Sequence, residues 1–219
     1  MHPLLTRPRA FARFLYHQRI KGFAVPAETD FGDIATQAFG ERLARSRSYL
    51  EFGSGASTLL AGRLGVPTVA VESDRFFARS VRAALPPGAP VRFADVDIGV
   101  TIEWGKPLHS RPTPARVRRW SSYVTAPYAL LDGFPDFILV DGRFRLACAL
   151  EAVRRARAGG HAATMMFDDY IDRPQYHGIE AHIGAPRMMG RAAFFELDPA
   201  RPAVAVSPAI VTAALSDWS

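Results

Sequence analysis

The sequence predicts an α/β protein built on a doubly wound, mostly parallel sheet. Short apolar strands alternate with helices along the chain, which is typical of repeated βα units. A glycine turn, Gly53 and Gly55, lies between a predicted strand and a predicted helix. Two other predicted strands end at acidic residues, Glu72 and Asp141. Parallel strands place such residues at one edge of the sheet, where α/β proteins bind their ligands.

The elements of the first half follow from periodicity and from residues that end helices. A helix is predicted at 34–43 from its 3.6-residue apolar spacing, and short strands at 49–53 and 68–72. A helix at 57–64 joins these strands. Another helix begins at 74 and ends at 85, because two prolines and a glycine follow it. A third strand is predicted at 91–96.

The second half repeats the alternation and then changes. Strands are predicted at 137–140 and 162–167, and a helix at 146–157 closes at Gly159 and Gly160. Two further apolar runs, 192–197 and 203–206, are predicted to pair as terminal strands joined by a tight connection.

Two segments fall outside this alternation. Residues 1–30 carry five basic residues among aromatic ones, and we expect a basic amphipathic helix that docks on the domain and ends near Pro26. The remaining residues, 31–219, form the main domain. Within it, 98–135 is longer than an ordinary connection and is expected to be an insertion or partial lid. The alternative is an extra helix at 115–131 with packed aromatic residues.

Composition limits the classes of protein and partner. The 219 residues are 48% hydrophobic, contain one cysteine and carry a net charge of +6. Cys148 cannot form an intramolecular disulfide, which is compatible with a cytoplasmic location. No apolar run is long enough to span a membrane. The charge makes nucleic acid a candidate partner, although the arginines are spread along the chain and could simply form a solvated surface.

The residues around the glycine turn favour a particular kind of nucleotide ligand. A dinucleotide-binding turn would have a third glycine where this chain has Thr58, and an apolar residue where it has Glu51. A carboxylate at that position would repel a pyrophosphate. It would attract a ligand that is positively charged there and has no phosphate. Glu51 or Glu72 could instead cap a helix or pair with a base.

This pattern resembles the class I S-adenosylmethionine-dependent methyltransferases. The resemblance implies a Rossmann-like methyltransferase fold in which Glu51 faces the amino-acid end of S-adenosylmethionine and Glu72 binds its ribose hydroxyls. Asp97, after the third strand, is expected to meet the adenine amino group. The implied cofactor-binding residues are Glu51, Gly53, Ser54, Gly55, Glu72 and Asp97.

Three aspartates at the tips of the fourth and fifth strands form a second group. Asp141 follows one strand, and Asp168 and Asp169 follow the other. Converging carboxylates need a cation among them, and an all-oxygen set suits Mg²⁺. The group resembles the metal site of catechol and macrocin-type O-methyltransferases, which implies metal ligation by all three. Alternatively, Asp141 orients the cofactor, and Asp168 and Asp169 cap the next helix.

These residues lead to an expected activity. His177 is a candidate general base for the hydroxyl that would accept the methyl group, and Asp141 is the second catalytic candidate. Arg143 and Arg145 could hold an anionic acceptor or pair with the aspartates. We expect an enzyme that methylates an oxygen of a small-molecule or sugar-like acceptor. A nucleic-acid methyltransferase or binding protein and a non-catalytic module of the same fold are the alternatives.

Overall fold

One mostly parallel sheet forms the centre of the protein. The computed structural model describes residues 8–201 and 203–217. The order of the strands across the sheet is β3-β2-β1-β4-β5-β7-β6, where the strands are Tyr49–Phe52 (β1), Thr68–Glu72 (β2), Val91–Asp95 (β3), Phe137–Val140 (β4), Ala163–Phe167 (β5), Arg187–Met189 (β6) and Ala192–Leu197 (β7). The first five strands are parallel, and β7 is antiparallel to both of its neighbours. The predicted fold class is confirmed.

Helices cover both faces of this sheet. Side chains cap the start of several of them: Asp74, Thr113 and Ser207 each accept hydrogen bonds from the first backbone amides of the helix that follows. The helices are Pro8–Tyr16 (α1), Asp33–Ala44 (α2), Ala56–Leu64 (α3), Arg75–Ala84 (α4), Pro114–Thr125 (α5), Arg145–Gly159 (α6), Glu180–Ile183 (α7) and Pro208–Ala214 (α8). A π-helix, His17–Lys21, continues α1, and 3₁₀ turns lie at Glu103–Gly105, Ala126–Leu130 and Pro174–Ile179.

The sheet separates two cores because successive side chains of a strand point to opposite faces. In β1, Leu50 and Phe52 belong to the larger core, which also holds Trp120 of α5. Tyr49 belongs to the smaller core, with Phe39 of α2. Glu51 therefore lies on the same face as Tyr49, below α3.

One of the two predicted terminal strands, 203–206, is not a strand in the structure. β7 pairs with β6, a short strand that precedes it, and not with 203–206. A hairpin joins β6 to β7 through Gly190, whose φ of 61° suits glycine. Since β5 and β6 occupy both sides of β7, Val204 bonds elsewhere: its N–H donates to Ala181 and its carbonyl accepts from Arg157.

The two segments that broke the alternation are largely helical. Within 98–135, α5 buries Trp120 and Tyr123 completely or nearly so, as the helical alternative expected. A role as a lid stays a prediction. In the N-terminal extension the helical part ends at Lys21, earlier than predicted, because Gly22 turns the chain with a φ of 81°. Residues 1–7 of the predicted extension lie outside the described part of the chain.

The loops after β1 and β4 touch at two glycines. A Cβ atom at Gly53 would lie 2.9 Å from the carbonyl oxygen of Asp141. One at Gly142 would lie 2.2 Å from the Tyr123 hydroxyl and 2.7 Å from the backbone nitrogen of Gly53. Side chains at these positions would push the two loops apart. Glycine is therefore needed at both for the loops to pass in contact.

We expect Gly142→Ala to lower the free energy of unfolding by about 2 kcal/mol or more, since backbone atoms have to move to admit the methyl group. Gly40→Ala is the matched control, because Gly40 is in α2 and a Cβ there would meet nothing within 4 Å. This control should be neutral or slightly stabilising. Urea unfolding of both variants checks this, and equal stabilities would contradict the close packing.

Candidate active site

The carboxyl ends of four adjacent strands meet along one edge of the sheet. The N–H of Gly53, after β1, donates to Val71 of β2 at 3.0 Å. The N–H of Asp141, after β4, donates to Phe52 of β1 at 3.0 Å, and that of Asp168 donates to Val140 at 3.2 Å. The glycine turn and the acidic strand ends therefore form a continuous row, as the parallel sheet predicts.

Glu51 is a buried carboxyl group with incomplete hydrogen bonding. Its Oε2 accepts from the Ser57 hydroxyl at 2.6 Å and from the Tyr49 hydroxyl at 3.0 Å. Its Oε1 has no hydrogen-bond partner. Burial raises the pKa of Glu51 to about 7, against the opposite effect of the hydroxyl donors. A cationic group next to Oε1 would satisfy this oxygen and restore the charged form.

Glu72 is held by neutral donors on both oxygens. Oε1 accepts from the backbone amides of Ser73 at 2.7 Å and Asp74 at 2.9 Å. Oε2 accepts from the Ser54 hydroxyl at 2.8 Å. Burial raises the pKa of Glu72, and these hydrogen bonds oppose the rise. No cation neutralises Glu72 among the described residues, so its lone pairs can still accept from ligand hydroxyl groups.

A cavity of about 430 Å³ opens beside Glu72. It has the volume of a small-molecule pocket. Asp97 lies at its margin, where one oxygen accepts from the Gly99 amide at 2.8 Å and the other from Arg119 at 2.6 Å. The structure therefore brings Asp97 to the cavity with both oxygens engaged. The cavity is lined by Gln18, Arg19, Glu72 to Phe76, Asp95 to Asp97, Gly99 to Thr101, and Arg119.

The three predicted aspartates lie together at the next part of the edge. One carboxylate oxygen from each of Asp141, Asp168 and Asp169 lies within 4.8 Å of the other two. Asp169 has a φ of 55°, which a non-glycine residue rarely adopts. The convergence that the sequence suggested is present, with some backbone strain at the second acid of the pair.

Arginines neutralise these aspartates. Arg145, almost fully buried, forms an ion pair with Asp141 at 2.8 Å and donates a hydrogen bond to Asp169 at 3.4 Å. Arg191 binds both oxygens of Asp168 at 3.1 Å, and Arg173 binds Asp169 at 3.1 Å. Three guanidinium groups therefore match three carboxylates. The Arg191–Asp168 pair has the bidentate geometry that is typical of strong ion pairs.

Asp141 is the most open of the three aspartates. The Asp141 side chain is 34% exposed, whereas the Asp168 side chain is 3% exposed. Desolvation by the surrounding protein raises the pKa of Asp141 to about 6. Arg145 opposes the rise, and the charges of Asp168 and Asp169 add to it. Asp141 also follows directly after β4 and contacts Gly53 through its backbone. It therefore lies between the glycine turn and the arginine–aspartate cluster.

The remaining candidates lie at different depths. His177 is exposed, its ring stacks on Tyr170 with 4.6 Å between centroids, and its Nε2 donates to the Tyr170 carbonyl at 3.1 Å. In the described chain no hydrogen bond or ion pair joins His177 to the aspartates. Arg143 is buried, and its burial lowers its pKa.

Several contacting residues were not predicted from the sequence. Arg173 and Arg191 come from the loop after β5 and from the hairpin before β7, and isolated arginines give no motif that links them to a distant acid. Ser57 could have been suspected, because a hydroxyl in the first turn of the helix after a glycine turn lies close to the preceding strand. Gln18, in the N-terminal extension, carried no signal.

The fold of this chain is similar to that of a solved structure. It matches the crystal structure of a methyltransferase-like protein from Silicibacter pomeroyi DSS-3, with a TM-score of 0.74 and 34% sequence identity. The match covers 87% of this chain and 97% of the other. This chain belongs to the methyltransferase-like proteins of class I. The predicted family is thereby confirmed.

Two further similarities concern more distant structures. An S-adenosylmethionine-dependent methyltransferase from Neisseria gonorrhoeae has a TM-score of 0.41 and 11% identity, covering 78% of this chain and 69% of that one. The 16S rRNA N2 G1207 methyltransferase of Thermus thermophilus has a TM-score of 0.39 and 14% identity, covering 78% and 41%. Scores this low carry no argument. No protein-family model and no curated protein matches the chain.

Among the described residues of this chain, no helix combines the length and the apolar character that crossing a membrane requires. This finding agrees with the absence of a long apolar run in the sequence.

The pKa of Glu51 predicts a pH-dependent stability. The folded protein holds a proton on Glu51 up to about pH 7, whereas the unfolded chain releases it near 4.5. The free energy of unfolding should therefore fall as pH rises through this window, by at most about 3 kcal/mol. Glu51→Gln mimics the protonated group and should gain stability relative to wild type between pH 5 and pH 8 in urea unfolding.

Glu41→Gln is the control for this comparison. It makes the same chemical change at a glutamate whose side chain is 54% exposed. It should leave the pH dependence of wild type unchanged. An identical stability difference between Glu51→Gln and wild type at both pH values would contradict the raised pKa.

Proposed function

We propose that this protein transfers the methyl group of S-adenosylmethionine to an oxygen atom of a small-molecule or sugar-like acceptor. The observation that carries the proposal is the pair of buried carboxyl groups beside the glycine turn, one of which keeps an oxygen without a partner. Glu51 and Glu72 have neutral donors only, and a cationic ligand without phosphate suits them.

The residues on both sides of the glycine turn have side chains that suit S-adenosylmethionine. Oε1 of Glu51 would accept from the ammonium group of the cofactor, which would satisfy a buried polar atom. Glu72 borders a cavity large enough for a nucleoside and would accept from the ribose hydroxyls. Gly53, Ser54 and Gly55 allow the backbone to approach the ligand between them.

S-adenosylmethionine supplies an electrophilic methyl group on a sulfonium centre. The protein has to align an acceptor oxygen with that group, exclude water and remove the proton of the acceptor hydroxyl. We assign the last task to Asp141, because its side chain is partly open and lies between the turn and the cluster. His177 stays a second candidate, with its Nε2 already bonded to Tyr170.

The predicted Mg²⁺ does not fit this arrangement of residues. A divalent ion needs free carboxylate oxygens, and each of the three aspartates forms an ion pair with a guanidinium group. Arg145, Arg173 and Arg191 supply the positive charge that the converging aspartates require. The proposed methyl transfer therefore uses no metal ion.

A nucleic-acid acceptor is the main alternative, and one observation favours it. Several exposed cations of α1, the π-helix and α4 form no ion pair within the described chain: Arg9, Arg13, Arg19, Lys21, Arg75 and Arg79. RNA affinity that falls steeply with salt would support this alternative. The cluster 116–119 offers less, since Arg119 pairs with Asp97. A non-catalytic module would bind the cofactor and turn over no acceptor.

Calorimetry with S-adenosylmethionine and its demethylated product, S-adenosylhomocysteine, tests the proposal. We expect saturable binding by wild type and at least about tenfold weaker binding by Glu72→Ala, which removes both acceptor oxygens for the ribose. Asp132→Asn is the control, because Asp132 is an exposed acid whose side chain pairs with Arg92 outside the cavity. No binding by wild type, or equal binding by all three proteins, would reject the proposed cofactor site.

Metal dependence is tested separately. We expect chelation with EDTA to leave cofactor binding and any methyl transfer unchanged, and titration of Mg²⁺ to give no saturable heat, because arginines occupy the acids. Asp168→Asn is the comparison, since it keeps the shape but loses the charge. A saturable Mg²⁺ response in wild type that is absent from Asp168→Asn would restore the predicted metal site.

A further inference from the structure

The N-terminal segment Pro8–Phe23 packs against the helix that follows Glu72. We call this segment, made of α1, the π-helix and two further residues, the N-terminal strap. The N–H of Phe23 donates to the Ser80 hydroxyl of α4 at 3.2 Å. The rings of Phe23 and Phe77 meet edge to face at 5.5 Å. These contacts bring the strap to the carboxyl end of β2.

The strap inserts one buried polar side chain beside Glu72. Gln18 is only 3% exposed, and its Nε2 donates to Oδ2 of Asp74 at 2.6 Å. The N–H of Asp74 in turn donates to Oε1 of Glu72 at 2.9 Å. Gln18 also approaches the Thr101 hydroxyl at 3.5 Å. A single residue therefore links the strap, the end of β2 and the segment after β3.

The strap also lines the cavity itself. Gln18 and Arg19 border the same 430 Å³ cavity as Glu72 and Asp97. Gln18 sits in a π-helix, an irregular helix that is frequent at functional sites. An amide suits this position, because it donates to Asp74 without adding another negative charge to a wall that already holds four acids, Glu72, Asp74, Asp95 and Asp97.

We propose that the N-terminal strap forms one wall of the adenosine end of the cofactor site, with Gln18 as its positioning residue. This inference rests on the proposed function. Asp74 has two tasks: its Oδ1 caps α4 through the amides of Phe76 and Phe77, and its Oδ2 accepts from Gln18. Gln18 thereby keeps the Glu72–Asp74 turn in the shape that presents Glu72 to the ribose.

The strap is attached in a way that permits opening. Among the described residues, its hydrogen bonds and ring contacts to the domain come from Gln18, from Phe23 and from Arg19, whose guanidinium group lies 5.8 Å from the centroid of the Phe76 ring. Segments held by few contacts detach at low cost in free energy. A ligand that touches both the strap and Glu72 would hold the strap closed, so that cofactor binding and strap closure stabilise each other.

Binding of S-adenosylhomocysteine and of adenosine tests the role of Gln18. We expect Gln18→Ala to weaken both ligands by about tenfold, equally, because the strap acts at the end they share. Gln18→Glu should weaken them more, since two carboxylates would face each other. The double variant Gln18→Glu/Asp74→Asn restores a donor–acceptor pair with its direction reversed and should recover affinity to within about threefold of wild type.

Arg13→Ala is the matched control, because Arg13 is an exposed residue of the same strap that does not line the cavity. It should bind both ligands as wild type does. Thermal unfolding of each variant shows whether it is folded, and the double variant decides the matter if Gln18→Ala fails to fold.

Limited trypsin digestion gives a second readout. Arg19 and Lys21 are cleavage sites within the strap, and S-adenosylhomocysteine should slow cleavage there by about fivefold or more in wild type and much less in Gln18→Glu.

The outcomes separate the two proposals. Wild type that fails to bind S-adenosylhomocysteine rejects the proposed function. Wild type that binds it, together with Gln18→Ala and Gln18→Glu that bind equally well, rejects the strap alone. Loss of affinity in Gln18→Glu that the added Asp74→Asn does not recover also contradicts the specific pairing.

Discussion

The close approach of two backbone loops organises this protein. Gly53, after β1, and Gly142, after β4, leave no room for a Cβ atom between them. β1 lies inside the sheet, with β2 on one side and β4 on the other, so the chain order reverses at this point. A crevice opens where the order reverses, and α/β proteins bind ligands there. The acids of the proposed cofactor site, Glu51 and Glu72, lie on one side of the two glycines and the aspartate cluster on the other.

The acids along this edge are stabilised in two different ways, and the difference separates their roles. Hydroxyl groups and backbone amides hold Glu51 and Glu72, which leaves their charge or their remaining lone pairs for a ligand. Arginines hold Asp168 and Asp169, which are already neutralised by the protein. Asp141 stands between the two groups, paired with Arg145 yet open to the crevice. A cationic cofactor and a hydroxyl-bearing acceptor fit this division.

Much of the fold could be predicted, because periodicity and turn residues are local signals. β2 and β4 were predicted with the bounds that the structure has, and α3 and α4 within one residue at each end. The partner of β7 was missed, since 203–206 is as apolar as a strand and β6 is short and carries an arginine. Pairing depends on which side of β7 is free, and a single apolar run does not contain that information. The convergence of the three aspartates followed from the parallel order of β4 and β5.

The sequence by itself determined the five parallel strands, the glycine turn and the acid at the end of each strand concerned, because each of these depends on residues a few positions apart. Only the tertiary structure decided what meets those acids. Arg191 reaches Asp168 across 23 positions, and Gln18 reaches Asp74 across 56. A charged or amide side chain can pair with any complementary group that the fold brings near it. The positive charge among the aspartates therefore comes from arginines, and one wall of the cavity comes from the N-terminal strap.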